Sequence, residues 1–438
     1  MSDSHGSTPK PQPLPPARFG DRLLARLSRV TSGGRFIPEI DGLRFLAIAT
    51  VVLHHLLTLV EERVIDARLG AGVREAGQNW LLWLVHHGAV GVQVFFAISG
   101  FILAMPFAKA ALDGGKPVKL GEYFWRRITR LEPPFVVSML MLYFAWAVVV
   151  PRMGMAVEHS PGPGNLAASL AYAHYLWYGT PSLVNGVTWS LEIEVQFYIL
   201  MPLFATIFSI RNKLARRAVM VAVMATTATI KGLYDKELES VHLSLTLLGY
   251  LHCFFVGLLV ADIYITDWKN KPQKGSWAWD LAGLAGLAGI VPQGAGGNAE
   301  LWRIALFLPS MVLIFIAAFR GRAVQAFFSN RWVATIGGMC YSIYLLHYAV
   351  LFASLAVAVK VLDKLAPRFG ENWFVLGRGS EHAPLLNFLL WCVILLPVVL
   401  VVSSVFFVLI ERPCMVKDWP QRLLARLGLR KASDSGRA

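Results

Sequence analysis

Apolar runs of about 17–25 residues recur along almost the whole chain, and no other feature restricts the fold as much. An α-helix rising 1.5 Å per residue needs a run of that length to cross about 30 Å of hydrocarbon, whereas a soluble core does not. Composition agrees, with 56% hydrophobic and only 16% charged residues against about 25% charged in an ordinary soluble domain. Eleven apolar segments are legible: roughly 37–60, 81–107, 134–150, 166–178, 190–210, 218–234, 243–265, 278–293, 301–319, 332–358 and 385–410. Helices satisfy their own backbone in lipid, so the expected fold is an all-α integral membrane protein.

The segment 166–178 (LAASLAYAHYLWY) is too short to span comfortably, and charge decides its fate. If it does not span, ten helices remain and both termini share one side. The loops and tails of that side then hold 29 Lys and Arg, against 9 on the other. If it did span, every later loop would change sides and the asymmetry would collapse. The positive-inside rule therefore predicts about ten transmembrane helices with both termini cytoplasmic. Segment 166–178 becomes a short re-entrant or interfacial piece lining an extracytoplasmic cavity. The expected domains are a basic cytoplasmic tail at 1–36, a membrane domain at 37–411 and a second basic cytoplasmic tail at 412–438.

The first tail lacks the pattern of a cleavable signal. Its series Arg18, Arg22, Arg26, Arg29 and Arg35 fits either a helix lying on anionic membrane lipid or a solvated tail that fixes orientation. The net charge of +14 follows from topology, and no nucleic-acid motif accompanies it. Cys253, Cys340, Cys392 and Cys414 form no CxxC, so neither a disulfide nor a metal site is expected.

Ionisable groups inside membrane segments are costly, about 2.5–3.5 kcal/mol for an Arg on insertion scales, and usually mark function. The first helix reads IPEIDGLRFLAIATVVLHHLL. Arg44 and His55 stand eleven residues apart, about 20° past three full turns, so they share a face about 16 Å apart along the axis. His54 falls about 80° away from Arg44. A neutral imidazole can take a proton from a hydroxyl near neutral pH. The bland alternative is an interfacial Arg and a His capping the far end.

Arg126, Arg127 and Arg130 precede the third span in YFWRRITRLEPPF, with Arg126 and Arg130 on one helical face. Three fixed guanidiniums suit a polyphosphate, or simply anchor the helix at the cytoplasmic surface. Glu192 and Glu194 lie in NGVTWSLEIEVQFYILMPL, near a span's extracytoplasmic mouth, suited to orienting a histidine or binding a sugar hydroxyl. Gly88, Gly91 and Gly100 suggest close helix packing, and His347 in YSIYLLHY is a candidate for the same cavity.

Taken together, IDGLRFLAIATVVLHH, GVQVFFAISGFIL, RRITRLEPPF, TWSLEIEVQFYILMPL, YSIYLLH and IERP resemble, in this order, the acyltransferase-3 family of bacterial membrane O-acyltransferases. The resemblance covers about residues 37–415. It implies that His55 is the essential histidine, that the arginine group binds the donor, and that Glu194, five residues after Trp189, is the family's glutamate. It also implies acetyl-CoA or another acyl-CoA as donor, without a metal, and a glycan or other hydroxyl acceptor. Arg44 would stabilise an oxyanion, position His55 or contact the coenzyme. Two positions depart from the pattern: Gln93 replaces a common Asp, and Glu132 replaces an aromatic or apolar residue. Some members carry a C-terminal SGNH domain; the expected form here is the one without it. Intramembrane charge and a re-entrant segment also suit a transporter or flippase, the rival reading.

Overall fold

A computed structural model describes residues 19–30, 36–66, 79–152, 160–268, 275–290, 301–370, 374–376, 382–416 and 419–426. Arg18 and Arg35 of the basic series, and residues 427–438 of the second tail, lie outside the described residues. Among these residues the fold is helical, with one isolated bridge between Ser276 and Gly321 and no strand. Its main helices are α1 (Phe19–Leu27), α2 (Pro38–Val60), α3 (Gly91–Leu112), α4 (Leu120–Phe144), α5 (Pro163–Leu170), α6 (His174–Tyr178) and α7 (Trp189–Phe204). They continue as α8 (Lys213–Ser240), α9 (Leu247–Ile263), α10 (Trp277–Ile290), α11 (Leu301–Arg320), α12 (Cys340–Phe369), α13 (Ala383–Phe406) and α14 (Trp419–Arg426).

Seven helical stretches among the described residues are long and apolar enough to cross a membrane: 38–65, 80–112, 120–152, 186–209, 247–268, 340–369 and 383–414. Helices α8, α10 and α11 occupy the three remaining expected spans. Helix α8 is 28 residues long but more polar. At its start Arg216 and Arg217 both pair with buried Asp262 of α9, Arg217 at 2.7 Å. The multi-pass, all-α architecture expected from the apolar runs is the one found.

Helix α2 sits at the centre, packed against α3, α11, α12 and α13. Pro38 opens it where a missing N–H costs nothing, and Glu39 and Asp41 lie in its first turn, favourable to the helix dipole. The glycines of the second apolar segment serve close packing. A Cβ at Gly91 would stand 2.4 Å from the Ala47 carbonyl oxygen, and one at Gly100 2.1 Å from that of Phe254. A Cβ on Gly257 of α9 would likewise run into the Ala97 carbonyl oxygen. Gly100→Val must therefore push α3 and α9 apart, and overpacking of this kind costs about 1–3 kcal/mol. A lowered melting midpoint in detergent is expected; an unchanged midpoint would mean the helices are not held this close.

Segment 166–178 forms no spanning helix. It folds as two short helices, α5 of 8 residues and α6 of 5. Between them Tyr172 takes a left-handed backbone conformation (φ 53°). Its ring stacks on Phe135 at 4.5 Å and its hydroxyl donates to Glu132 at 3.2 Å. Those partners lie about 18–23 Å along α4 from its first residue, so the segment dips into the bundle.

Both ends of the described chain meet on one face. Arg412 donates to the carbonyls of Ser28 and Ala25 at 3.2 and 3.3 Å. Trp419 Nε1 donates to the Thr129 carbonyl at 2.8 Å, and Arg331 pairs with Asp21 at 3.1 Å. An even number of crossings gives this arrangement.

Candidate functional site

The histidine face of α2 meets α12 deep in the bundle. His55 Nδ1 stands 2.9 Å from His347 Nε2, and the His347 side chain is fully buried. His347 Nδ1 in turn lies 2.9 Å from the Tyr344 carbonyl oxygen and 3.1 Å from that of Ile343, one turn back on its own helix. The rings of His54 and Tyr348 each lie 5.3 Å from that of His55, Tyr348 edge-on. The helical phase that separates His55 from His54 thus decides which of them reaches α12. No residue among those described hydrogen-bonds His55 Nε2.

A cavity of about 300 Å³ lies next to this pair, toward the face that carries both termini. Its walls are mostly apolar, with Phe95, Ile102 and Ile199 among them, and Arg44, Arg127 and Arg130 also line it. Arg127 lies over the Tyr198 ring, 5.6 Å from its centroid. The Arg130 Nε is buried without a hydrogen-bond partner. Neither arginine pairs with a carboxylate among the described residues. Glu194 and Glu411 line the same cavity, and guanidiniums so placed suit an anionic ligand.

Arg44 is held differently. Its Nη1 donates to Asp41 Oδ1 at 2.8 Å, while Arg29, from the segment before α2, reaches the other Asp41 oxygen at 3.1 Å. Burial and the neighbouring Arg44 push Arg29 down to about 10, with Asp41 opposing them, so it stays charged near neutral pH. Removing Asp41 strands two cations around one buried point, and breaking a buried pair costs about 3–5 kcal/mol. Asp41→Ala is expected to lower the melting midpoint; a protein that melts like the parent would show that the triad carries no load.

Four placements could not be read from the sequence. Arg126 is exposed and reaches back one turn to Glu122, at 3.1 Å from its carboxylate and 3.2 Å from its carbonyl. The cavity face of α4 carries Arg127 and Arg130, three residues apart, rather than Arg126 and Arg130. Glu194 lines the cavity and accepts a hydrogen bond from Ser99 Oγ, but touches no histidine among the described residues. Glu192 faces the other way, accepting the Tyr175 N–H at 3.0 Å at the start of α6. Glu132, the unexpected acid in the arginine motif, accepts from Tyr172 on the cavity wall instead of pairing with an arginine.

Arg44 and His55 do not share the cavity. Arg44 lines it and His55 is not part of its lining. Tyr344 joins the two regions: it lines the cavity, its hydroxyl meets Ser190 Oγ at 2.6 Å, and its carbonyl receives His347. Glu411, from IERP, lines the cavity from a π-helical turn and accepts the Ser342 N–H at 3.0 Å. His347, Asp41 and Glu411 are the residues a reading of single motifs underweights. Each does lie in a motif, but only packing brings α2, α12 and the end of α13 together.

The sequence profile of the acyltransferase-3 family, described as an acyltransferase domain, matches residues 37–408. A protein of Staphylococcus aureus (strain COL), named provisionally as an O-acetyltransferase, is 24% identical over 338 residues, covering 72% of this chain and 51% of its own length. The O-acetyltransferase OatA of Staphylococcus aureus (strain NCTC 8325 / PS 47) is 23% identical over 347 residues, covering 72% and 51%. YrhL of Bacillus subtilis (strain 168), named provisionally as a peptidoglycan O-acetyltransferase, is 28% identical over 214 residues, covering 46% and 28%. The chain spans about half the length of the curated relatives it matches. No solved structure matches it. With its helical bundle, arginine-lined cavity and paired histidines, the chain is a multi-pass membrane protein of the acyltransferase-3 family, akin to bacterial O-acetyltransferases.

Proposed function

We propose that this protein transfers an acyl group, acetyl in the simplest case, from acyl-CoA to a hydroxyl of a glycan or related acceptor. In this reading the face with both termini is the cytoplasmic face of a bacterial inner membrane, and residues 37–411 are the catalytic domain between two basic tails. The coenzyme's phosphates rest on Arg127 and Arg130, with Arg44 as a third contact, and the pantetheine arm runs through the apolar part of the cavity toward His55. The acceptor approaches His55 from the opposite side. Arg126 anchors the helix at the surface, and Glu194 positions polar groups on the cavity wall.

The observation that carries this reading is the combination of two cavity cations without an ion pair among the described residues, Arg127 and Arg130, with a histidine pair that adjoins the cavity-lining Tyr344. Guanidinium forks bind phosphate in bidentate geometry, and an imidazole with a free nitrogen serves as base or nucleophile. Either route balances: the acceptor oxygen ends bonded to the acyl carbon, the carbon–sulfur bond breaks, and the hydroxyl proton goes to the coenzyme thiolate.

Purified protein given acetyl-CoA and envelope glycans is expected to release free coenzyme only when acceptor is present or water replaces it slowly. Absence of coenzyme release, together with movement of a glycan carrier or solute across vesicles, would favour the transporter instead.

A further inference from the structure

The hydrogen bond between the two histidines has a direction. His347 Nδ1 faces two backbone carbonyl oxygens, at 2.9 and 3.1 Å, and a carbonyl only accepts. The single ring proton of neutral His347 therefore sits on Nδ1, and its Nε2 carries a lone pair. His55 Nδ1, 2.9 Å from that lone pair, must donate. Neutral His55 then has its only ring proton on Nδ1, which leaves Nε2 as the unprotonated nitrogen. The reverse direction needs a doubly protonated His347. That side chain is 0% exposed and pairs with no carboxylate among the described residues, and an unpaired buried cation is costly.

Other polar groups near His55 do not compete for this role. His54 and Tyr348 approach as ring contacts, and Glu61 pairs with His86 at 2.9 Å, beyond the end of α2. None of them hydrogen-bonds a ring nitrogen of His55 among the described residues.

We propose that His347 is the positioning residue of the active centre: it locks His55 in the Nδ1–H tautomer so that Nε2 meets the reacting groups. The inference rests on the reading of His55 as the reacting histidine. When His55 Nε2 takes the acceptor's proton, the resulting imidazolium keeps its Nδ1–H on the His347 lone pair. The acceptor oxygen bonds the acyl carbon, the thioester carbon–sulfur bond breaks, and His55 returns the proton to the leaving thiolate. His347 neither gains nor loses a proton. A carboxylate does this work in serine-hydrolase triads, where losing the correct tautomer costs about 10⁴-fold; here a neutral imidazole backed by two carbonyls takes its place.

The test compares His347→Phe, which keeps a ring but offers no acceptor, with His347→Gln, whose side-chain amide oxygen can reach the place of Nε2. On the full-length protein in detergent, His347→Phe is expected to lower kcat by about 10²-fold or more with the acetyl-CoA KM changed less than about threefold. His347→Gln is expected to recover at least about tenfold of that loss. Parental kcat in the Phe variant, or equal losses in both variants at parental melting midpoints, overturns the proposal. If the Phe variant does not fold, His347→Asn, whose amide is too short to reach His55, takes its place with the same expected loss, and parental kcat there overturns it. His55→Ala separates the two levels of argument. An inactive His55→Ala beside a fully active His347→Phe removes only the tautomer lock, whereas an active His55→Ala removes the reading beneath it.

Discussion

His55→Ala is expected to cut acyl transfer by about 10²–10⁴-fold while leaving the protein folded and in the membrane. The side chain is half-buried and its main polar contact is one hydrogen bond to His347, so truncation removes little packing. Chemistry loses more, because His55 Nε2 is the nitrogen of the α2–α12 histidine pair that no described residue hydrogen-bonds. Labelled acetyl incorporated into envelope glycan, at matched protein levels, measures the effect. His54→Ala is the control: its ring reaches no partner on α12, and it should keep activity within about threefold. Retained transfer in His55→Ala would take this residue out of the mechanism.

The second large effect is expected at the donor site. A hydrogen bond to a charged group contributes about 1.5–3 kcal/mol. At 1.4 kcal/mol per factor of ten, Arg127→Ala or Arg130→Ala should each weaken acetyl-CoA binding by about 10–100-fold. The loss should appear in KM, with kcat largely kept, because these side chains hold a part of the donor remote from the thioester. Arg126→Ala is the internal comparison. Its partner is exposed Glu122, and a surface pair contributes about 0–1 kcal/mol. Equal effects at Arg126 and Arg127 would show that the cavity face of α4 has been assigned to the wrong residues.

Much of this was legible in the sequence, for reasons that are physical. Lipid allows only helices of a minimum length, so the apolar runs 37–60, 81–107 and 385–410 announce themselves, and basic loops betray the topology. The short segment 166–178 was readable as a non-spanning piece because its length and the charge balance agree. That it reaches Glu132 through Tyr172 was not, since the contact joins residues 40 apart. Helical phase placed His55 on the face of Arg44, and packing then sets His55 rather than His54 against His347 of α12. The same rule misled for Arg126 and Arg130: they share a face, but the side chain of Arg126 follows Glu122, and a backbone angle says nothing of where a long flexible chain lies. His347 needed the packing of α12 on α2, the partners being 292 positions apart in the sequence. Asp41 looked like a helix-start acid and proves also to hold Arg29 and Arg44 together.

The most direct test of the account uses sealed vesicles of opposite orientation, made from cells that contain the protein and its acceptor glycans. The termini are located by protease cleavage of a tag, and membrane-impermeant labelled acetyl-CoA is supplied from outside only. The account predicts labelled glycan when the outer surface is the face carrying the termini, with the signal lost in His55→Ala and restored in Arg127→Ala by raising the donor concentration. Labelling only from the opposite face, or labelling that survives His55→Ala, would contradict it.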